Sequence, residues 1–298
     1  MDNQIISLQQ FRDARHDDHR PEHARVVAIT GGKGGVGKSF LAANLAAAWS
    51  SDGVRTLAVD ADFGMADLNL MLGVAPDRSA LDVLCGVPIG EVLVRAHGVD
   101  LLPGLNGSST LANLDATERR ALLAAIDTLE DTYDVCVIDA PPGISDTGID
   151  MSAAASHVVV VLSPEPVSLA DAYSCLKAMC VRHNLARAYV VPNNVANADE
   201  AAETFQRLEA IVDRFLGVKL VALPHIVRDA AVATTCALGV PVVHHSPDAP
   251  AARAVKTIAR RLSTERPGAV PEPVRLFRNR IGVAGAEPAA RRAEASER

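Results

Sequence analysis

From Arg25 to Leu262 the chain alternates short, nearly unbroken apolar runs with longer stretches whose apolar residues recur at helical spacing. The runs are Val26–Thr30, Thr56–Val59, Val99–Leu102, Val135–Ile138, Val158–Leu162, Ala188–Val191 and Leu220–Ala222. A strand with one wet face alternates apolar and polar residues, whereas unbroken runs are expected where helices cover both faces. The pattern therefore predicts a single α/β domain over 25–262, a mostly parallel doubly wound sheet with helices on both faces. Between the first two runs, Phe40–Trp49 is predicted as an Ala/Leu-rich helix that Asp52-Gly53 ends. Asp115-Ala-Thr-Glu118 and Ser168-Leu-Ala-Asp171 have capping-box spacing, so Asp115, Glu118 and Asp171 are assigned to helix starts rather than to catalysis.

Outside the alternation the periodicity is lost. Residues 1–24 are polar, and His16-Asp17-Asp18-His19 with His23 reads there as part of a solvated arm rather than as a metal site. Residues 263–298 shift to Pro, Ala, Glu and Arg and read as a flexible tail. On a helix, Val274, Phe277 and Ile281 would share a face ringed by arginines, which suits peripheral contact of 274–281 with an anionic membrane surface. Leu276 falls off that stripe, and a Pro-bounded disordered stretch accounts for the same residues equally well.

Composition narrows the class. Of 298 residues 49% are hydrophobic but only 3% aromatic, so the core must be built from Ala, Val, Leu and Ile. A net charge of −7 argues against an electrostatic grip on nucleic acid by the whole protein. It leaves room for a local patch, for which Arg253, Lys256, Arg260 and Arg261 on the last predicted helix are the candidates. The five cysteines form no C-x-x-C pair and fall mostly in apolar runs, so buried reduced thiols and a cytoplasmic location are expected. No run reaches membrane-spanning length, and the polar start lacks a signal-peptide core. His157, His225, His244 and His245 are scattered at strand ends and loops and are expected at the surface or in supporting roles.

The chemistry is concentrated after the first strand. Gly32-Lys33-Gly34-Gly35-Val36-Gly37-Lys38-Ser39 fits the phosphate-binding loop G-x-x-x-x-G-K-[ST] in its required strand–loop–helix setting. Glycines let successive backbone N–H groups face phosphates, and the helix behind adds its positive dipole end. Lys38 would neutralise the β/γ-phosphates, and the Ser39 hydroxyl would join a Mg²⁺ shell. Two further strands end in carboxylates at the same sheet edge: Asp60-Ala-Asp62 followed by Phe63-Gly64, and Asp139 followed by Ala140-Pro-Pro-Gly143. An Asp ending a strand beside a phosphate loop suits Mg²⁺, directly or through water, and the glycines allow loops that re-form around a γ-phosphate. Lys33 has no role in a plain phosphate loop.

With these residues the chain resembles the MinD/ParA group of P-loop ATPases, whose deviant Walker A motif K-G-G-x-G-K-[ST] is matched by Lys33 to Ser39. The resemblance spans about Arg25 to Leu262. It implies that Lys33 reaches the nucleotide phosphates of a partner subunit in an ATP-sandwich homodimer, and that Asp62 orients the attacking water. It also implies that Asp139 acts on Mg²⁺ through water, and that Asn193 lies on the adenine side, with Asn194 as a one-residue alternative. Within the group the chain is most similar to flagellar-number regulators of the FlhG/FleN type, through Asp60-Ala-Asp-Phe-Gly-Met-Ala-Asp-Leu-Asn-Leu-Met-Leu-Gly73, Gly143-Ile-Ser-Asp-Thr147 and Glu165-Pro-Val-Ser-Leu-Ala-Asp-Ala-Tyr173. Leu101-Leu-Pro-Gly-Leu-Asn-Gly107 sits where that subgroup has a short strand and a Gly/Ser-rich loop.

That likeness implies an ATPase switch controlling flagellar number or placement, with a flagellar-assembly GTPase or a flagellar transcription regulator as partner. The alternative is a ParA-type partition or positioning ATPase that binds non-specific DNA. A metal-cluster carrier would need exposed, clustered cysteines, and a related tyrosine kinase a C-terminal tyrosine cluster. Two departures stand out. The subgroup's Leu-x-Asn-x-Asp is here Met65-Ala-Asp67-Leu-Asn69, with amide and carboxylate exchanged, and residues 1–24 lack the Asp-Gln-Ala helix used to stimulate the GTPase partner.

Overall fold

The structure, a computed structural model, describes residues 25–63, 65–104, 114–266 and 276–277. The predicted arm 1–24, residues 105–113, and all of 274–281 except Leu276 and Phe277 lie outside the described residues.

Among the described residues nine strands build one sheet. They are β1 (Arg25–Thr30), β2 (Thr56–Asp60), β3 (Val94–Ala96), β4 (Val99–Leu102), β5 (Val135–Asp139), β6 (His157–Leu162), β7 (Arg187–Val195), β8 (Lys219–Ala222) and β9 (Ile226–Val227). The order across the sheet is β3-β4-β2-β5-β1-β6-β7-β8, with β9 added beside the end of β7. Every pairing is parallel except the edge pair β3–β4. All seven predicted runs are strands. The two that sequence missed, β3 and β9, are only three and two residues long, too short for any periodicity to register.

The interior strands β2, β5 and β6 are buried along their whole length, which is why their sequences show no alternation. Successive residues instead feed opposite cores. Val27 and Ile29 of β1 face α1 (Lys38–Ser51), α10 (Val242–His245) and α11 (Pro250–Thr264). Val26 and Ala28 face the layer holding α5 (Ala116–Asp127) and α6 (Asp146–Ala153). Beyond β6, α7 (Pro166–His183) and α8 (Ala198–Phe215) close a third cluster over Val158, Val160 and Val190. The remaining helices α2 (Leu68–Met71), α3 (Ala80–Leu84), α4 (Ile89–Val92) and α9 (Ala230–Leu238) are short.

The Asp115–Glu118 box is present: Asp115 accepts from the N–H groups of Thr117 and Glu118 at 2.6 and 2.8 Å, and Glu118 accepts from the Asp115 N–H at 2.7 Å. The Ser168–Asp171 box is not. Helix α7 already starts at Pro166, whose fixed φ suits the first helical position, and the Ser168 hydroxyl accepts from the Ser163 N–H at 3.1 Å. His157 is also a correction, since it is wholly buried at the start of β6, with its pKa lowered to about 4 by burial. It belongs to a polar cluster at the amino ends of the strands that fastens the end of α11. There Arg187 pairs with Glu265 at 2.6 Å, and Trp49 donates to the Ser263 hydroxyl at 2.9 Å. Leu276 and Phe277 are buried in the α5/α6 layer, at 1% and 0% exposure. Their N–H groups donate to Ala154 O at 3.1 Å and Asp127 Oδ1 at 2.7 Å.

Candidate nucleotide site

The chain steps from β1 to one side of the sheet for β2 to β5 and to the other for β6 to β8, so the carboxyl end of β1 marks the reversal where open α/β sheets bind ligands. The loop from Gly31 to Gly37 lies there. Two of its glycines are demanded by neighbours. A Cβ on Gly32 would fall 2.0 Å from the backbone carbon of Asp171, because α7 packs directly on the loop. Gly37, the residue that caps α1, has φ of 96°, and a Cβ there would meet Asn193 Nδ2 at 2.3 Å. By contrast, Gly34 and Gly35 have no atom within 4 Å of an added Cβ and face open space.

Lys33, Gly34, Gly35, Val36, Gly37, Lys38, Ser39, Asp62 and Asn193 line one cavity of about 730 Å³, within the range of small-molecule sites. Gly32 and Asp139 are not in its wall: the first is under α7, and the second is buried beneath Ser39. Lys38 is 7% exposed, its ammonium donating to Lys33 O at 3.4 Å. The Lys33 ammonium crosses the rim to Glu165 Oε2, 2.7 Å away.

The two strand-end carboxylates divide the work. Asp60 and Asp139 are register partners across β2 and β5, and both are buried. Asp60 is turned inward and accepts the N–H groups of Asp62 and Leu68, each at 3.0 Å, so it staples both ends of the loop carrying Asp62. Burial and the facing Asp139 hold its pKa well above the ordinary carboxylate range. Burial pushes Asp139 up to about 7, against the pull of the Ser39 hydroxyl and of Lys38. Its Oδ1 is buried without a hydrogen-bond partner. An orphaned carboxylate oxygen beside a hydroxyl fits the hydrated shell of a hard cation. No cluster of three or more His, Cys, Asp or Glu able to hold a metal occurs among the described residues, so phosphate and water oxygens would complete such a shell.

Asp62 accepts the Met65 N–H at 3.1 Å and lines the cavity. Asp67 lines it too, whereas Asn69 is turned into its own turn and donates to Val74 O at 3.3 Å. The exchanged pair thus places the charge at the cavity and the amide in the scaffold. Asn193 donates to Val36 O at 2.7 Å, bracing the loop, while Asn194 is exposed with a positive φ of 58°. Sequence reasoning missed the apolar end of the cavity, formed by Met71, Ile226, Val232 and Cys236. These residues sit on short elements far apart in sequence, and no local pattern marks them. Of the basic residues on α11, Arg253, Arg260 and Arg261 are exposed, and Lys256 reaches Pro247 O at 3.4 Å. The five cysteines are free; Cys136 and Cys175 are buried, and Cys85 is exposed.

A glycine loop at the reversal point, a lysine in its floor and two strand-end carboxylates define a P-loop nucleotide-binding protein. Comparison with known proteins narrows this: the ParA family model, described as NUBPL iron-transfer P-loop NTPase, matches residues 22–263. The chain belongs to the ParA/MinD family of P-loop NTPases, whose members are ATPases. It is 33% identical over 242 residues to the antiactivator FleN of Pseudomonas aeruginosa, covering 80% of this chain and 86% of FleN. It is 32% identical over 188 residues to the flagellum site-determining protein YlxH of Helicobacter pylori, covering 62% and 63% of the two chains. Among solved structures, the septum site-determining protein MinD of Pyrococcus horikoshii, complexed with Mg-ADP, superposes with a TM-score of 0.64 at 25% identity, covering 81% of this chain and 96% of that one. Among the described residues no helix is long and apolar enough to cross a membrane.

Proposed function

We propose that the chain is a Mg-dependent ATPase switch that dimerises with ATP, hydrolyses it slowly to ADP and phosphate, and sets flagellar number or placement. The observation that carries the reading is the single cavity bringing Lys33, Lys38, Ser39 and Asp62 together above the buried Asp139. The open faces of Gly34 and Gly35 give the phosphates room to approach backbone N–H groups, and Lys38 balances their charge. Ser39 and Asp139 would hold Mg²⁺, which when bound screens charge on the phosphates. Asp62, on a loop stapled by Asp60, orients water rather than forming any covalent bond, so rate rests on positioning and is open to stimulation by a partner. Asn193 belongs to the adenine side, and the apolar end of the cavity takes the base.

Lys33 at the rim would reach the phosphates of a second copy. Likeness to FleN, named an antiactivator, favours a transcription regulator over an assembly GTPase as partner. Peripheral membrane contact through 274–281 would first require Leu276 and Phe277 to leave their buried positions. A second reading, a partition ATPase on non-specific DNA, draws on the exposed arginines of α11 and predicts salt-sensitive DNA retention that requires ATP. Flagella per cell test the first reading. A strain lacking the chain should show an altered number, restored by wild type but not by Lys38→Ala. An unchanged number in the deletion strain would remove the flagellar assignment.

A further inference from the structure

The Lys33–Glu165 ion pair joins two residues 132 positions apart, across the rim of the nucleotide cavity. Glu165 caps α7 by backbone position only: its side chain makes no capping hydrogen bond. Its carboxylate is 58% exposed, and among the described residues the one contact it has within hydrogen-bond reach is the Lys33 ammonium at 2.7 Å. The loop side is also prepared for this geometry. Helix α7 rides so close to the loop that Gly32 has no room for a Cβ, which fixes the start of α7 against the residue before Lys33. The Lys33 carbonyl is held from below by Lys38. A side chain that caps no helix, on an element locked to the loop, thus meets the one loop lysine that a phosphate cradle does not need.

We propose that Glu165 is a positioning residue for Lys33, holding its ammonium within its own chain and thereby restraining ATP-dependent dimerisation. The inference rests on the dimerising reading above, in which Lys33 must serve phosphates bound to a second copy. Before it can do so, the ammonium must exchange a carboxylate of its own chain for those phosphates. The pair is half-exposed, 40% and 58%, so it acts as a weak brake rather than a lock. Exposed ion pairs of this kind shift equilibria by roughly two- to fivefold at low salt and less when screened. A phosphate cluster with several negative charges outcompetes one carboxylate, so the brake sets a threshold in ATP and chain concentration without preventing assembly.

Two measurements on Glu165→Gln test this. First, with no nucleotide added, the chain is acetylated briefly with an amine-reactive ester, and Lys33 modification is read by mass spectrometry against the exposed Lys219. Glu165→Gln should raise Lys33 labelling roughly two- to fivefold and leave Lys219 unchanged. Secondly, the dimer dissociation constant is measured with Mg²⁺ and the slowly hydrolysed analogue ATPγS. Glu165→Gln should dimerise roughly two- to fivefold more tightly at about 0.05 M salt, and the difference should close at about 0.5 M. A merely structural role for Glu165 would not give that salt dependence. Equal Lys33 labelling in both proteins overturns the positioning role. Raised labelling with unchanged or weaker dimerisation overturns the brake. Raised labelling with no dimer in either protein overturns the dimerising reading itself and leaves the ion pair standing.

Discussion

Among the described residues beyond 266, Phe277 and Leu276 join the chain to the domain. Replacing Phe277 by alanine removes a phenyl ring that has 0% exposure in the α5/α6 layer, beside Leu276 at 1%. Truncating a fully buried Phe costs about 3–5 kcal/mol when the cavity cannot collapse. The backbone anchors, Phe277 N–H to Asp127 and Leu276 N–H to Ala154 O, would survive the substitution. An upper limit also applies. Once this segment detaches, further losses stop, so the measured effect cannot exceed its docking free energy. Burying one Leu and one Phe is worth about 1.5–3 kcal/mol each, less the entropy of ordering those two residues. Equilibrium urea unfolding of Phe277→Ala should therefore show a loss of about 2–4 kcal/mol. A chain cut after residue 266 should lose a similar amount. A change below about 0.5 kcal/mol in both would refute the docking. The same figure is the cost that a membrane surface must offset before residues 274–281 can bind it.

Three further outcomes follow from buried charge and close packing. Asp100 accepts the Tyr133 hydroxyl at 3.1 Å, and burial raises its carboxyl to about 6. Because the folded pKa exceeds the unfolded one, the group favours folding fully below about pH 4, and that contribution is lost as pH rises through 6. Asp100→Asn keeps an acceptor for Tyr133 and removes the charge, so it should be more stable than wild type by about 2–3 kcal/mol at about pH 8 and equal to it near pH 4. A constant difference across that range in urea midpoints would contradict the assignment. Gly32→Ala should lower stability by about 1–3 kcal/mol or more, since α7 must retreat from a Cβ 2.0 Å from Asp171. Gly34→Ala should leave stability within about 0.5 kcal/mol yet weaken fluorescent ATP binding by about tenfold, a loss of about 1.4 kcal/mol, because its Cβ enters space open to ligand. If Gly34→Ala binds as wild type does, the phosphates do not lie where Gly34 and Gly35 face.

The sheet was legible because six of its strands, β1, β2, β4, β5, β6 and β7, are buried on both faces or nearly so, and burial alone writes an unbroken apolar run; β8 is a half-exposed edge strand that shows only as the short run Leu220–Ala222. The edge strand β3 and the two-residue β9 carry no such signature. At the sheet edge, local motifs pointed to the loop, Asp62 and Asp139, since each lies at or within two residues of the end of its strand. What they could not disclose depends on contact between distant segments. Asp60 read as a strand-end carboxylate suited to Mg²⁺, yet it is buried and its carboxylate accepts the N–H groups of Asp62 and Leu68. Ser168 and Asp171 matched a capping box, but Pro166 starts the helix earlier and leaves Asp171 packed on Gly32. The Lys33–Glu165 pair and the apolar end of the cavity are products of the fold alone.

The central claim is a switch completed by a second copy of the chain, with Lys33 serving assembly and Asp62 serving hydrolysis. Its most direct test is molecular mass in solution, measured by light scattering with Mg-ADP and with Mg-ATP for wild type, Lys33→Ala and Asp62→Ala. Asp62→Ala should accumulate as a dimer with ATP, Lys33→Ala should stay monomeric with either nucleotide, and wild type should pass through a dimer that ADP does not support. A wild-type chain that stays monomeric with ATP, and turns it over at the same rate after Asp62→Ala, would contradict the account.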